Sequence, residues 1–454
     1  MDKSLKFISD YASSLEYKDL PKSTVQWAKM MLIDSIGCAL NAYALAPGKA
    51  ARRLCYPVSG EGGYSARVIG SLQRTSPDMA AFANSTMVRD LDFNDVFRAL
   101  VPLHPSDTIP AVLAAAEAVH ADGKRLIEGI VLGYEIQVPF AERTPIKRVW
   151  DFIALPDCLG SAVGAGKILG LSKEQFANAA ALAVLPNNVL EMRGEGELSM
   201  YKEVYAGMAA RQGLFAALMA QAGMDGPEET FEGVHGFVKV VMDGQAIGWE
   251  PLGGKGVQFM IERTTIKRFP VRGQIQLFAW AALELREKVR VEEIESLVVK
   301  THATGASTAK DPAQWAPKTR ETADHSSPVA VAIGLLDGDV TPEHWIRKRF
   351  LDKDVLSLIS KMKVVEDPEI TKEFPAKNQC RIEAKTKSGK TVVAHQVAGS
   401  PTASVKWDKE MLEAKYLTCV RGALTPEEAR ASLDLMWQLE ELDDSARILD
   451  HLRI

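Results

Sequence analysis

The sequence has few cysteines, and their arrangement argues against several kinds of site. The five cysteines among 454 residues are far apart, odd in number and never in a CxxC pair. A disulfide framework, a cysteine-rich metal site and an aconitase-type iron–sulfur cluster therefore have no support. The eight histidines show no HxxxH or HExxH spacing. We therefore predict that the protein binds no metal.

Long hydrophobic runs and basic tracts are missing as well. No stretch approaches the ~20 apolar residues that span a bilayer, and the N-terminal segment MDKSLKFISDYASSLEYKDLP has no signal-peptide core. The net charge is −5, with no cluster of Lys and Arg that would attract nucleic acid or an anionic membrane. We expect a cytoplasmic protein that binds neither of these partners.

Helical patterns dominate the sequence from residue 5 to about residue 260. Ser172 and Gln175 form a capping box ahead of the apolar segment FANAAALAV. The preceding segment, GSAVGAGKILG, is rich in Gly and Ala and predicts closely packed helices. Its glycines lack the GxGxxG spacing of a dinucleotide site. A second capping box, formed by Thr425 and Glu428, predicts helix again in the last fifty residues.

A different pattern separates these two helical regions. Residues 293–302 contain a β-branched run, and residues 380–398 alternate about a Ser-Gly turn, which predicts a hairpin. The predicted fold class is therefore mainly α with a smaller α+β domain. With 46% hydrophobic residues, the chain is long enough for two domains. We predict an all-helical domain from residues 1–265 together with 404–454, and an α+β lid domain from residues 266–403.

The segment RDLDFNDVFRALVPLHPSDTIP, residues 89–110, contains the densest set of candidate catalytic groups. These are four aspartates and one histidine, namely Asp90, Asp92, Asp95, Asp107 and His104. A carboxylate and an imidazole held together shift each other's pKa, as a site that removes and returns a proton requires. The alternative is a solvated acidic loop whose aspartates cap helices, a role that suits Ser106 and Asp107 ahead of the helix near Pro110.

A second segment, residues 198–214, contributes cationic and aromatic candidates. Tyr201 and Lys202 precede a helix of small residues. Lys202 would bind a substrate carboxylate, or act as an acid if burial lowers its pKa. The alternative is a surface lysine at a helix end. Arg193, a few residues earlier, is open to both interpretations.

Two further candidate segments lie at and beyond the predicted domain junction. TTIKRFPVRGQIQ, residues 264–276, offers Lys267, Arg272 and Gln274 where a cleft would favour ligand binding. The alternative is a basic interdomain linker. In PKTRETADHS, residues 317–326, Asp324 or Ser326 is expected to be the N-cap of the following helix.

Four of these segments together resemble one family. DLDFNDVFRALVPLHPSDTIPAVLAAAEA, MYKEVYAGMAARQGLFAALMAQAGMDGPEETFEGVHGF, IKRFP and PKTRETADHS are similar, in the family's order and across nearly the whole chain, to the MmgE/PrpD family. That family includes 2-methylcitrate dehydratases, cis-aconitate decarboxylases and an iminodisuccinate epimerase. The resemblance implies a di- or tricarboxylate substrate, no metal or organic cofactor, a large all-helical domain with an α+β lid, and a homodimer.

The resemblance also implies roles for individual residues. Asp92 and His104 fall at the family's active-site aspartate and histidine, and Lys202 falls at its active-site lysine. Many relatives have threonine or histidine at three positions where this chain has Val96, Phe152 and Gln274. These departures predict a less basic and more apolar pocket, which disfavours both 2-methylcitrate and the decarboxylation of cis-aconitate.

We therefore expect a cofactor-independent lyase that dehydrates or hydrates a hydroxy di- or tricarboxylate. Asp92 and His104 would form the acid/base pair, with the order of proton transfer left open, and Lys202 would act beside them. The expected substrate-binding residues are Tyr201, Arg193, Lys267, Arg272 and Gln274. The alternatives are an epimerase or decarboxylase on the same scaffold, and a non-catalytic relative that binds a metabolite.

Overall fold

Helices dominate the protein, whose computed structural model describes residues 1–58, 64–98, 102–144, 153–187, 190, 196–398 and 407–454. The first ten helices are α1 (Lys3–Ser14), α2 (Lys22–Ala42), α3 (Ala46–Arg53), α4 (Pro77–Arg89), α5 (Ile109–Ala118), α6 (Gly123–Arg143), α7 (Ala154–Leu169), α8 (Lys173–Val184), α9 (Tyr201–Gln221) and α10 (Phe237–Val241). Two short antiparallel pairs join them, β1 (Ala66–Arg67) with β2 (Arg74–Thr75) and β3 (Phe97–Arg98) with β4 (Pro102–Leu103).

Small residues let the central helices α6 and α7 approach each other closely. A Cβ atom added to Gly164 on α7 would lie 2.7 Å from the carbonyl oxygen of Gly129 on α6. A Cβ atom added to Gly160 would lie 2.9 Å from the carbonyl oxygen of Gly133. These separations are shorter than van der Waals contact, so only glycine fits. The close packing predicted from GSAVGAGKILG is confirmed.

The α+β unit follows and is built on one four-stranded sheet. Its elements are α11 (Gln276–Arg286), β5 (Ile294–Thr301), α12 (Ala303–Thr308), α13 (Arg320–Ala323), α14 (Ser327–Asp337), α15 (Pro342–Ile346), α16 (Lys353–Ile359), β6 (Met362–Glu366), α17 (Pro368–Glu373), β7 (Asn378–Thr386) and β8 (Thr391–Ala398). The strand order is β6-β5-β7-β8, with β5 and β6 parallel and the other neighbours antiparallel. The predicted hairpin is β7–β8, and α11 packs on it.

The chain then returns to the first unit through α18 (Lys409–Cys419) and α19 (Pro426–Trp437). α18 packs against α2, and both predicted capping boxes are present, at Ser172 and at Thr425. One hydrophobic core joins buried side chains from residues 5–266 with others from 407–452, whereas a second core centres on residues 269–398. The predicted fold class, mainly α with a smaller α+β domain, is confirmed. The boundaries at 265/266 and 403/404 stay predictions.

Some of the described helices are strongly apolar. No single helix among the described residues is both long enough and apolar enough to cross a bilayer. Taken together, α2 and α3 pass the test of length and composition, but they meet at an angle of 92°. Most of α2 is buried in the first core, which accounts for its apolar composition.

Candidate active site

The turn after α4 brings one aspartate into the interior at the boundary between the two cores. Asp92 has φ = +48°, a left-handed conformation that aspartate tolerates better than most side chains. Its neighbours Leu91 and Phe93 are buried in the second core. Packing on both sides therefore fixes the turn, and the Asp92 carboxylate between them is fully buried.

Three basic side chains surround the Asp92 carboxylate. Arg89, the last residue of α4, and Lys267 both pair with its Oδ1 atom, Lys267 at 3.0 Å. Lys267 also donates to the main-chain oxygen of Asp92 at 2.7 Å. The Nε2 atom of His104 lies 3.8 Å from Oδ1, too far for a hydrogen bond. Within the described residues, Oδ2 has no hydrogen-bond donor.

The orientation and tautomer of His104 follow from its contact with Asp95. The Nδ1 atom of His104 lies 2.7 Å from the main-chain oxygen of Asp95. A carbonyl only accepts, so Nδ1 must carry the hydrogen and Nε2 keeps its lone pair. Ser106 and Tyr134 donate to the Asp95 carboxylate, both at 2.7 Å, and hold that residue in place.

The electrostatic environment separates the pKa values of these groups. Burial lowers the pKa of His104 far below its ordinary value, and the Arg89 and Lys267 cations lower it further. Burial alone would raise the pKa of Asp92, but the same two cations outweigh it and hold that pKa well below its ordinary value. Burial and the Arg89 cation lower the pKa of Lys267 to about 8, against the opposing effect of Asp92. At neutral pH His104 is therefore neutral and Asp92 is ionised.

A second cluster, adjacent to the first, joins α9 to the α+β unit. The Nζ atom of Lys202 lies 3.1 Å from Oδ2 of Asp324 and 3.0 Å from Oε1 of Glu203. The other Asp324 oxygen lies 2.6 Å from Nδ1 of His325. Arg320 contacts both Glu203 and Asp90, two residues before Asp92, which places this cluster beside the first one.

The ionisation of the second cluster follows from burial and from its ion pairs. Burial raises the pKa of Glu203 to about 8 despite the Lys202 cation, and it lowers the pKa of His325 to about 4 despite Asp324. Burial would raise the pKa of Asp324, yet Lys202 and His325 bring it below its ordinary value. Lys202 and Asp324 are therefore charged at neutral pH, whereas Glu203 is mostly protonated and His325 is neutral.

A further ion pair ties the two units together beside the site. Arg320, at the start of α13, pairs with the carboxylate of Asp90 and donates to its main-chain oxygen at 2.9 Å. Arg320 also lies 3.6 Å from Glu203. The catalytic loop (residues 89–98 and 102–110, which hold the candidate acid/base groups), α9 and the segment before α14 thus meet in one buried network.

The structure places the other predicted site residues at various distances from this network. Lys267 belongs to the network through Asp92, and the main-chain N–H of Arg272 donates to the carbonyl of Asp324 at 3.0 Å. Gln274 is half-buried and follows Gly273. A Cβ atom added to Gly273 would lie 2.9 Å from Cγ2 of Val96, so this segment packs closely on the loop. Tyr201 is 42% exposed at the start of α9. Arg193 and Phe152 lie outside the described residues.

The structure decides between several alternatives that the sequence left open, and it contradicts the capping role expected for Asp107. The aspartates of the catalytic loop are fully buried, so the loop is not a solvated acidic segment. Asp107 caps no helix, because its carboxylate accepts from Asn94 at 2.8 Å inside the protein. Asp324 is not the N-cap of α14, since Ser326 accepts from the N–H of Val329 at 3.2 Å. Lys202 is 1% exposed and is no surface lysine.

Sequence reasoning missed Arg89, Asp324 and His325 as members of the site. Arg89 has the helical spacing of a partner for Asp92, three residues later, and that spacing was the available signal. Asp324 and His325 lie just before α14, in a segment where Ser326 is the N-cap of that helix. Their true partner, Lys202, is 122 residues away from Asp324 in the sequence, so no local pattern pointed to it.

The described residues contain no cluster of metal-ligating side chains. No group of three or more His, Cys, Asp or Glu side chains there has the geometry to hold a metal ion. The carboxylates of the site are instead paired with Arg and Lys cations. The arrangement supports proton transfer and the binding of anions.

Comparison with known proteins places this arrangement in a family. The sequence matches the MmgE/PrpD N-terminal domain over residues 6–250 and the MmgE/PrpD C-terminal domain over residues 269–441. It is 28% identical to 2-methylcitrate dehydratase of Salmonella typhi over 397 residues, which cover 82% of this chain and 79% of that enzyme. It is 26% identical to mitochondrial 2-methylcitrate dehydratase of Yarrowia lipolytica, over 83% of this chain and 74% of that enzyme. It is 29% identical to cis-aconitate decarboxylase of Aspergillus terreus, over 54% of this chain and 51% of that enzyme. Since the two domain matches together cover most of the sequence in order, the chain belongs to the MmgE/PrpD family.

Proposed function

We propose that this enzyme is a hydro-lyase that removes water from, or adds water to, a hydroxy di- or tricarboxylate without a metal or an organic cofactor. The observation that most supports the proposal is the orientation of the His104 ring. Its Nδ1–H is committed to the Asp95 carbonyl at 2.7 Å, so its basic Nε2 atom faces the cations around Asp92. The imidazole is neutral and so can accept a proton at neutral pH, and the cations beside it would stabilise the negative charge that develops on the substrate carboxylate.

The proposed reaction uses His104 as base and Lys267 as acid. His104 Nε2 takes the proton α to a substrate carboxylate, and the C–H electron pair forms the new double bond. The C–O bond of the β-hydroxyl group breaks, and the leaving oxygen takes a proton from Lys267 to give water. A lysine with a pKa of about 8 retains its proton at neutral pH and releases it readily. Hydration is the reverse.

The remaining groups have supporting roles in this proposal. Asp92 keeps Lys267 protonated and oriented, through the 3.0 Å ion pair and the contact to its own main chain. Arg89 and Lys202 stabilise negative charge as it develops on the substrate carboxylate. Arg272 and Gln274, at the edge of the network, are the proposed contacts for a second carboxylate.

His325 favours a second candidate reaction, epimerisation. This imidazole comes from the α+β unit, whereas His104 comes from the helical unit, and both interact with Asp92. If the proton returned to the opposite face of the same carbon from His325, no C–O bond would break and the configuration would invert. This step needs the imidazolium form of His325, which the Asp324 carboxylate, 2.6 Å from Nδ1, would stabilise against the burial that lowers the pKa of His325 to about 4.

Two measurements test the proposal. A thermal-shift screen against 2-methylcitrate, citrate, malate, tartrate and cis-aconitate identifies acids that bind, and NMR in D₂O then follows each of them with the enzyme. Deuterium incorporation with appearance of an alkene signal supports the hydro-lyase, and incorporation with inversion alone supports the epimerase. Stabilisation by an acid without any exchange would favour the non-catalytic relative and contradict both enzymes.

We also propose a homodimer in the cytoplasm. Tyr201, Met208 and Phe215 recur every seven residues on α9 and expose an apolar row that a second copy would cover. All five cysteines are unpaired and buried, which suits a reducing compartment. Sedimentation velocity at micromolar concentration tests the first proposal and cell fractionation the second. A purely monomeric species, or recovery in a secreted fraction, would contradict them.

A further inference from the structure

Lys415 lies next to the site, on α18, the first helix after the α+β unit. Its side chain is 6% exposed, and its Nζ atom donates to two main-chain oxygens, that of Phe93 at 2.8 Å and that of Lys267 at 3.0 Å. Phe93 directly follows Asp92. One ammonium group therefore contacts the main chain of both segments that supply the Asp92–Lys267 pair, from a position 148 residues beyond Lys267.

The charge of Lys415 is balanced by a residue that belongs to neither segment. Oδ1 of Asp34, on α2, lies 2.6 Å from Nζ, and the Phe93 ring centroid lies 3.8 Å from it. Burial would lower the pKa of Lys415, but the Asp34 carboxylate outweighs this effect and raises it. Asp34 makes no described ion pair or hydrogen bond with Asp92, and its interaction with Lys267 is between charges only.

The two segments that Lys415 joins need such a bridge. They lie more than 170 residues apart in the sequence, and among the described residues one pair of main-chain hydrogen bonds, between Val96 and Thr265 at 2.8 and 3.1 Å, connects them further along. The loop itself contains the left-handed Asp92. Catalytic pairs tolerate little displacement, since a shift of about 1 Å can reduce a rate by about 10².

We propose that Lys415 is a positioning residue, whose ammonium group holds the catalytic loop and the Lys267 segment at a fixed distance so that Asp92 and Lys267 stay aligned. Asp34 supplies the counter-charge that lets a lysine occupy this buried position. The effect on turnover rests on the function proposed above, whereas the effect on the Asp92–Lys267 pair does not. The competing explanation is that Lys415 merely neutralises Asp34.

A set of variants separates these explanations. Lys415→Met removes the charge and both donated hydrogen bonds, but it leaves Asp34 uncompensated. The double variant Asp34→Asn with Lys415→Met removes both charges together, so that the two hydrogen bonds are lost without leaving an unpaired Asp34 carboxylate. Lys409→Met, an exposed lysine on the same helix, is the matched control.

The experiment measures three quantities for each folded protein: the rate of deuterium exchange into the acid that the screen identifies, its apparent KM, and the pKa of Lys267 from ¹³C NMR of labelled lysine. Lys409→Met should match the wild type. The double variant should lose about 10- to 100-fold in turnover, with KM changed by less than about threefold. The pKa of Lys267 should fall below about 8 as its contact with Asp92 loosens.

Three results for the double variant would contradict the proposal. Turnover of the double variant within about threefold of the wild type, or a Lys267 pKa unchanged within about 0.3 units, means that Lys415 only balances Asp34 and overturns the proposal. A double variant that does not fold makes Lys415 a structural residue and overturns it too. If the wild type exchanges no proton with any acid, the proposed function fails. The pKa of Lys267 then still tests the positioning role.

Discussion

Replacing Asp92 with asparagine should change the ionisation of Lys267. In the wild type the Asp92 carboxylate lies 3.0 Å from Nζ of Lys267 and opposes the effects of burial and of Arg89, which together leave the lysine pKa at about 8. An asparagine side chain keeps the shape but provides no charge. We expect the pKa of Lys267 to fall by at least ~1 unit, equivalent to about 1.4 kcal/mol.

This shift has a consequence at neutral pH. With a pKa of about 8, about nine-tenths of Lys267 carries its proton at pH 7, whereas a pKa of about 7 or less leaves at most about half protonated. The proposed acid must be protonated, so activity is lost as pH rises through the pKa of Lys267. The alkaline limb of the activity profile should therefore lie near pH 8 in the wild type and move to lower pH in Asp92→Asn. Turnover should drop by at least ~10².

The assay combines a titration and a rate. ¹³C NMR of lysine-labelled protein gives the pKa of Lys267 directly, with a Lys267→Arg sample to assign the signal, and deuterium exchange gives the pH profile. Asp443→Asn, a change at a side chain that is 91% exposed, is the matched control. A Lys267 pKa that stays near 8 or rises in Asp92→Asn, together with turnover within a few-fold of wild type, would refute the reasoning.

Three other predictions concern the rest of the site. Lys202→Met should raise the apparent KM and lower turnover together, because a charge is lost from a buried position, and Lys202→Arg should restore little because its donor geometry differs; normal kinetics in a destabilised protein would instead make Lys202 structural. His325→Gln should abolish inversion if the enzyme is an epimerase but reduce dehydration less than tenfold, and NMR of the product distinguishes the two results. Exhaustive EDTA treatment should leave activity unchanged; loss that a divalent ion restores would overturn the metal-independent mechanism.

Local features of the fold were predictable from the sequence because their determinants are local. The capping boxes at Ser172 and Thr425 and the β7–β8 hairpin depend on residues a few positions apart. The glycine pattern of α7 likewise indicated close helix packing, since no other residue fits at Gly160 and Gly164. These local sequence patterns predict the structure correctly because the tertiary contacts favour the same local conformations.

The candidate site was only partly predictable, because it depends on contacts between distant parts of the chain. Asp92 and His104 share one segment, and their residue types indicated acid/base chemistry. The sequence indicates Asp324 or Ser326 as a helix cap, because nothing in that segment shows that Lys202 lies 3.1 Å from Asp324. Lys415 gave no local signal either, since its hydrogen-bond acceptors are main-chain atoms of segments far away in the sequence.

The burial of the aspartates in this loop could not be predicted from the local sequence either. Asp90 and Asp92 are fully buried because Arg320 and Lys267, from distant parts of the chain, pair with them. A sequence pattern shows that acids are present, but not whether distant cations will compensate the cost of burying them.

The measurement that tests the central claim most directly is solvent deuterium exchange by EDTA-treated enzyme, with wild type and His104→Gln compared at pH 7. The account predicts that the wild type incorporates deuterium at the carbon next to a carboxylate of the acid selected by the screen. It predicts that His104→Gln, with an unchanged unfolding temperature, does so at least ~10² more slowly, because the variant lacks the basic Nε2 atom. Equal exchange by the two proteins would remove His104 as the base and contradict the account.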